Sequence, residues 1–137
     1  MQIRHRRLLA LTAAAGAIAL IAVLPALSAT SRTTATVKVS VTKAKEFAFV
    51  LSPKTVKHGT VTFTVTNGGN LPHDFEICSK ASTAATATTC AGKHTPMVSP
   101  GASSKLTVTI AKPGSYEYLC TVPGHAAAGM KGLLKVT

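Results

Sequence analysis

Apolar and polar residues alternate in several short runs of this chain, and this pattern constrains the fold more than any other feature. In the run 60–66, Val61, Phe63 and Val65 alternate with threonines. A period of two residues puts the two sets of side chains on opposite faces of a half-buried β-strand. Similar runs are separated by turns rich in Gly and Pro, and they lie at 37–41, 47–51, 75–77, 106–110, 115–120 and 133–137.

These runs predict an all-β fold: a Greek-key sandwich or barrel of about seven to eight strands. No segment shows a convincing amphipathic helical pattern. The stretch 79–102 is rich in Ala, Thr, Ser, Gly and Pro, and we expect an irregular excursion with one helical turn near Ala84. A sandwich of this kind also lets two loops that are distant in sequence meet at one end.

The N-terminus has the features of an export signal. Three arginines precede an apolar run over 8–24, and Leu27-Ser28-Ala29 supplies small residues for cleavage. We therefore predict a signal peptide over 1–29, a short tether over 30–35 and one domain over 36–137. An uncleaved anchor is the alternative, because the run is nearly long enough to span a bilayer. The route, Sec or twin-arginine, stays open. The predicted location of the domain is therefore periplasmic, in the cell envelope or extracellular.

The charge of the chain is strongly positive. Without residues 1–29, 12 basic and 4 acidic residues remain, which is about +8 with neutral histidines. The lysines are scattered singly and are not interleaved with aromatic residues, so nucleic acid is not the expected partner. We expect a cationic surface that favours acidic partners or an anionic envelope.

A short loop near the C-terminus carries a C-x4-H-x4-M pattern formed by Cys120, His125 and Met130. A further histidine, His73, follows a proline well upstream. Two imidazoles, one thiolate and one weak thioether are the ligand set of a mononuclear electron-transfer copper site. The soft sulfur ligands favour Cu(I), whereas imidazole binds both oxidation states.

Together, this loop, the Pro-His step and the strand-rich sequence between them resemble the blue copper proteins of the plastocyanin/azurin (cupredoxin) family. The resemblance covers 36–137 and implies one type 1 copper ion bound by His73, Cys120, His125 and Met130. It also implies that a backbone N–H near Asp74 donates to the Cys120 sulfur. The residue after the first histidine is aspartate here, where plastocyanin and azurin usually carry Asn, and the Cys-to-His gap is longer than in plant plastocyanins.

The resemblance further implies that His125 is the exit for the electron and that a small apolar patch surrounds it. Pro123 and the alanines 126–128 fit that patch. His94 is the rival to His73 as first ligand, but it lies in the irregular excursion. Pro72 restrains the chain before His73, which suits a preorganised ligand.

Three cysteines in an exported chain need an assignment. If Cys120 is a metal ligand, Cys78 and Cys90 remain as a natural disulfide pair.

The function favoured by these features is single-electron shuttling between redox partners by a monomeric protein that is not an enzyme. The partners are expected to be acidic at the docking surface. A membrane contact is expected only through an uncleaved anchor. Nucleophilic catalysis by Cys120 and His125 lacks an obvious third group. The main alternative is an extracytoplasmic copper carrier or storage protein. The simplest alternative is a metal-free β-sandwich that serves as a binding module at the cell surface.

Overall fold

The computed structural model describes residues 33–137, so the predicted signal segment and most of the tether lie outside the described residues. This part of the chain forms nine strands and contains no helix long and apolar enough to cross a membrane. The strands are β1 Thr34–Thr42, β2 Lys45–Ser52, β3 Thr55–Val56, β4 Gly59–Gly68, β5 Glu76–Ala81, β6 Gly92–His94, β7 Ser103–Ile110, β8 Gly114–Leu119 and β9 Lys131–Val136.

The strands form two sheets, which confirms the predicted all-β class. One sheet has the order β2-β1-β4-β7 and the other has the order β3-β9-β8-β5-β6. Most neighbours are antiparallel, but β1 pairs with β4 in parallel, and β3 pairs with β9 in parallel. The first strand therefore lies inside its sheet, between two later ones.

The alternating runs bury one side of each strand, as predicted. In β4, Val61, Phe63 and Val65 are buried while Thr64 and Thr66 lie on the other side. The core between the sheets is closed by aromatic rings: Phe75 lies 4.9 Å from Phe63 and 5.6 Å from Tyr118 between ring centroids. Burial of this apolar surface is the main term that stabilises the domain.

The excursion after β5 differs from the prediction in one respect. No helical turn forms near Ala84, because the hydroxyl of Ser82 donates to the Ala84 carbonyl and takes up the local hydrogen bonding in a turn. Two cysteines hold the excursion: Cys78 on β5 is disulfide-bonded to Cys90, as predicted.

Candidate metal centre

The first histidine lies on a loop that a buried asparagine organises. The Asn67 side-chain amide donates to the carbonyls of Leu71 and Val98, both at 2.8 Å, and its oxygen accepts from the Gly69 amide. His73 itself exchanges two backbone hydrogen bonds with Val98, at 3.1 and 2.7 Å. The loop is thereby tied to the segment before β7, and the His73 side chain is fully buried.

The second loop joins β8 to β9 and carries the other three candidate residues. It is closed at its base, where the Cys120 amide donates to the Met130 carbonyl at 3.0 Å, and the Met130 amide donates to the His125 carbonyl at 3.0 Å. Gly124 and Gly129 have φ values of 85° and 112°. Glycine adopts such values readily, so the loop can turn tightly around His125. Cys120 and Met130 are fully buried.

Three of the four predicted residues bring their donor atoms together. The Nδ1 atoms of His73 and His125 are 3.1 Å apart, and the Cys120 sulfur lies 3.9 Å from the first and 3.6 Å from the second. Nitrogens about 2.0 Å and a sulfur about 2.3 Å from one ion are separated by roughly 3.3–3.7 Å. The cluster therefore fits a single first-row metal ion.

His94, the rival first histidine, lies outside this cluster. It is on β6, its side chain is more than half exposed, and its Nδ1 atom lies 2.8 Å from the Thr95 carbonyl. Met97 nearby is also exposed.

A carboxylate and a hydroxyl group join the two loops directly. Asp74 accepts hydrogen bonds from the Thr121 amide at 2.7 Å and from the Thr121 hydroxyl at 2.5 Å. Asp74 is buried and follows His73, while Thr121 follows Cys120. Two residues adjacent to candidate ligands are thus held together.

Comparison with known proteins decides the family. A family model described as copper-binding proteins of the plastocyanin/azurin family matches residues 35–137. The chain belongs to the plastocyanin/azurin family. The family match, together with the His-Cys-His cluster, confirms the predicted cofactor, one type 1 copper ion.

Solved structures and curated proteins agree with this family. The structure is similar to auracyanin B (TM-score 0.63, 26% identity, covering 75% of this chain and 88% of the other). It is also similar to rusticyanin from Thiobacillus ferrooxidans (TM-score 0.55, 27% identity, covering 76% and 77%).

In sequence, the chain is 36% identical over 91 residues to the copper-resistant cuproprotein CopI of Rubrivivax gelatinosus, which covers 60% of this chain. It is 51% identical over 43 residues, 31% of its length, to auracyanin-B of Chloroflexus aurantiacus. The chain spans 55% of the length of the first and 18% of the second.

Burial shifts the pKa values of two ionisable groups in the His-Cys-His cluster. Burial raises the pKa of the Cys120 thiol to about 11 in the copper-free protein, while backbone hydrogen bonds at Asp74 and Val122 act in the opposite direction. A metal ion that binds at Cys120 would therefore have to displace a proton from the sulfur. Burial, and then the nearby His73, lower the pKa of His125. The His125 ring therefore favours its neutral, metal-binding form.

His125 lies at the surface end of the cupredoxin cluster, against an aromatic ring. Phe47 is 40% exposed and meets His125 edge-on, with 5.1 Å between ring centroids. Pro123 and the alanines 127 and 128 are exposed, as predicted, but Ala126 is buried because it packs with Cys78 and Leu119. The exposed apolar patch is therefore Phe47, Pro123 and the two outer alanines.

Glu46 is a residue of the cluster that no sequence pattern predicted. Its Oε1 atom lies 2.8 Å from His73 Nε2, and its carboxylate also accepts from the amides of Asn70 and Leu71. These hydrogen bonds, with that of His73 the largest, lower its pKa to about 2. Glu46 is one of only four acidic residues in the chain, and that scarcity is the one signal that the sequence offered.

Proposed function

We propose that the domain shuttles single electrons through one copper ion bound by His73, Cys120, His125 and Met130. One observation carries this proposal: a His-Cys-His cluster in which the first two side chains are fully buried and only His125 reaches the surface. Such an arrangement excludes water from the donors and leaves a single approach for a partner. The bound ion supplies a one-electron redox couple.

The protein's own residues would keep the donors fixed in both oxidation states. The Asp74–Thr121 pair joins the two loops, and Glu46 holds the outer nitrogen of His73. Because an ionised carboxylate can only accept, His73 Nε2 carries the proton, and Nδ1 keeps a lone pair for the metal. A site that moves little on a change of metal charge favours fast electron exchange.

Met130 is proposed as the weak axial ligand. Its backbone is hydrogen-bonded to Cys120 and to His125, and its side chain is fully buried. A long axial thioether tunes the reduction potential of a His2Cys site.

Docking would occur at the exposed apolar patch. Small, transient interfaces are typical of electron transfer. Lys43 and Lys45 lie in and beside the β1–β2 turn next to Glu46, so a redox partner with an acidic rim would meet positive charge there. Association should then weaken as salt is added. We infer that the domain acts as a monomer.

We also propose export, with residues 1–29 as the signal, 30–35 as the tether and 36–137 as the working domain. Support comes from the apolar run over 8–24 and from the Cys78–Cys90 disulfide, since disulfides persist in oxidising compartments.

The test of the copper site is spectroscopic. Addition of Cu(II) to the purified protein should give an intense visible thiolate-to-copper absorption, and Cys120→Ser should abolish it. Replacing the disulfide cysteines instead should leave the colour. A colourless wild-type complex would contradict the proposal.

A second function is a copper carrier or store, and the similarity to the copper-resistant cuproprotein CopI favours it. The two functions differ in how readily the ion leaves. Two rates decide between them: copper transfer to a competing chelator, and electron exchange with a small redox reagent. If copper transfer is the faster, the protein is a carrier.

A further inference from the structure

Lysines that are scattered in the sequence meet at one end of the folded domain. This lysine end consists of Lys54, Lys57, Lys112 and Lys135, all exposed. The Lys135 amide donates to the Lys54 carbonyl at 3.0 Å, and Lys57 precedes His58, whose amide donates to Thr137.

The turn between β7 and β8 brings the fourth lysine to the same end. Lys112 lies just before β8, whose first residue, Gly114, pairs with Val136 next to Lys135. The Tyr116 hydroxyl donates to the Lys112 carbonyl at 2.9 Å and fixes that turn.

No acidic residue offsets this charge locally. All four acidic residues of the chain are described, and each lies elsewhere: Glu46 and Asp74 at the metal cluster, Glu76 opposite Leu119, and Glu117 opposite Leu133. Among its side chains, the lysine end therefore presents positive charge alone, and the carboxyl group of Thr137, which accepts from the His58 amide, is the opposing charge there.

The lysine end lies at the opposite end of the sandwich from the metal cluster. Strand β8 runs from Gly114, beside the lysine end, to Leu119, which directly precedes Cys120. At about 3.3 Å per residue, the two ends are roughly 20 Å apart.

The lysine end also lacks apolar anchors. The exposed large apolar side chains of the described region are those of Phe47, Val50, Leu71 and Met97. Three of these lie near the metal cluster: Phe47 packs on His125, the Leu71 amide donates to Glu46, and Met97 immediately precedes Val98, the backbone partner of His73. The fourth, Val50, pairs with Ser40 in mid-strand. Protein interfaces depend on buried apolar or aromatic anchors. Lysine clusters without such anchors instead suit anionic lipid headgroups.

The chain enters the domain at this end. The carbonyl of Thr33 accepts from the Thr60 amide at 2.9 Å, at the start of β4, and Gly59 pairs with Ile110 just before the Lys112 turn. The N-terminal end of the described domain, at Thr33, therefore lies on the side that bears the lysines.

We propose that the lysine end binds an anionic phospholipid surface and holds the domain with its His125 end facing away from the bilayer. This inference is independent of the proposed electron transfer, since it requires only the fold and the four lysines. Each lysine near such a surface contributes about fivefold to binding.

The experiment uses residues 33–137, which contain the whole family match over 35–137 within one compact unit, because the apolar run would otherwise dominate vesicle binding. Partitioning is measured on phosphatidylcholine vesicles with and without phosphatidylglycerol. Lys54→Gln with Lys135→Gln should weaken binding to the anionic vesicles by roughly 25-fold. The matched control is Lys38→Gln with Lys105→Gln, two exposed lysines whose strand positions flank Thr64 in mid-sheet.

The control pair removes the same charge and should lose much less binding. Far-UV circular dichroism checks that every variant is folded, without reference to copper. Equal losses in the two pairs would show a non-directional charge effect and overturn the proposal. So would equal binding to both vesicle types, or binding to polyglutamate without binding to anionic vesicles, which would identify the lysine end as a protein contact.

Discussion

The Glu46 carboxylate lies 2.8 Å from Nε2 of His73, on the side of the ring away from the other donors. Glu46 is at the start of β2, and its other hydrogen bonds go to the amides of Asn70 and Leu71. One acidic side chain therefore orients the ring and fixes the loop that carries it. A carboxylate on the outer nitrogen also makes an imidazole a stronger donor.

Replacing this carboxylate should weaken the hold on Cu(II). We expect Glu46→Gln to lower Cu(II) affinity about tenfold, since loss of such a partner costs 10–100-fold. If Cu(I) affinity is unchanged, the reduction potential rises by about 59 mV for a one-electron couple. Redox titration measures this. Glu117→Gln is the control, because Glu117 is also buried and accepts a backbone amide, that of Ala87, away from the cluster.

Met130→Leu should leave copper bound and raise the reduction potential. Although thioether sulfur is soft, an added donor offsets the higher charge of Cu(II) more than that of Cu(I), and loss of the Met130 thioether would leave the three stronger donors in place. Leucine has a similar volume, so the buried position should tolerate it. Met97→Leu is the matched control because Met97 is exposed. The reduction potential of this control variant should equal that of the wild type. Equal potentials in all three proteins would remove Met130 from the ligand set.

The disulfide should contribute to stability without affecting the metal. Cys78 and Cys90 are 12 residues apart, and closing so short a loop is worth about 3 kcal/mol in the chain-entropy model. Replacing both by alanine should lower the free energy of unfolding by about that amount, as chemical denaturation would measure. Thiol counting in unfolded, unreduced protein should find one free thiol, that of Cys120. Three thiols would contradict the pairing.

Glu76 should make the copper-free domain less stable as the pH rises. It is buried between β6 and β8, and burial raises its pKa above the ordinary value of 4.5, with Asp74 adding to this and His94 opposing it. A group whose folded pKa is raised contributes stability below its unfolded pKa and loses it as pH rises through the folded pKa.

At pH values above the folded pKa of Glu76, the Glu76→Gln variant should therefore be more stable than the wild type. The difference in the free energy of unfolding should shrink toward pH 4. Denaturation at a series of pH values measures the difference. A variant whose stability parallels that of the wild type at every pH would show that Glu76 does not titrate on unfolding.

Much of the fold could be predicted because strand burial has a sequence period. The alternation of Val61, Phe63 and Val65 gave both the strand and its buried face, and the C-x4-H-x4-M loop gave three residues close in sequence. The short strands β3 and β6 could not be predicted, because two or three residues carry no period. The parallel pairing of β1 with β4 is likewise a long-range choice that no local pattern encodes.

The supporting contacts of the site were harder to foresee. In the sequence, Asp74 stands out only as a departure from the family pattern, and its hydrogen bonds to Thr121 depend on two loops 47 residues apart. Glu46 reaches His73 across 27 residues. The lysines were scattered in sequence, and only the return of β9 beside β3 brings Lys135 next to Lys54. Such relationships arise from topology.

The position of β9 has a consequence for the order in which the centre can form during folding. It is the last strand of the described residues, yet it lies inside its sheet between β3 and β8. Without β9, strand β3 has no neighbour in the second sheet, and Lys131, directly after Met130, is not held beside Leu119. We therefore expect the copper site to form only once β9 has paired with β8, and removal of residues 131–136 should cost the domain both an interior strand and its copper binding.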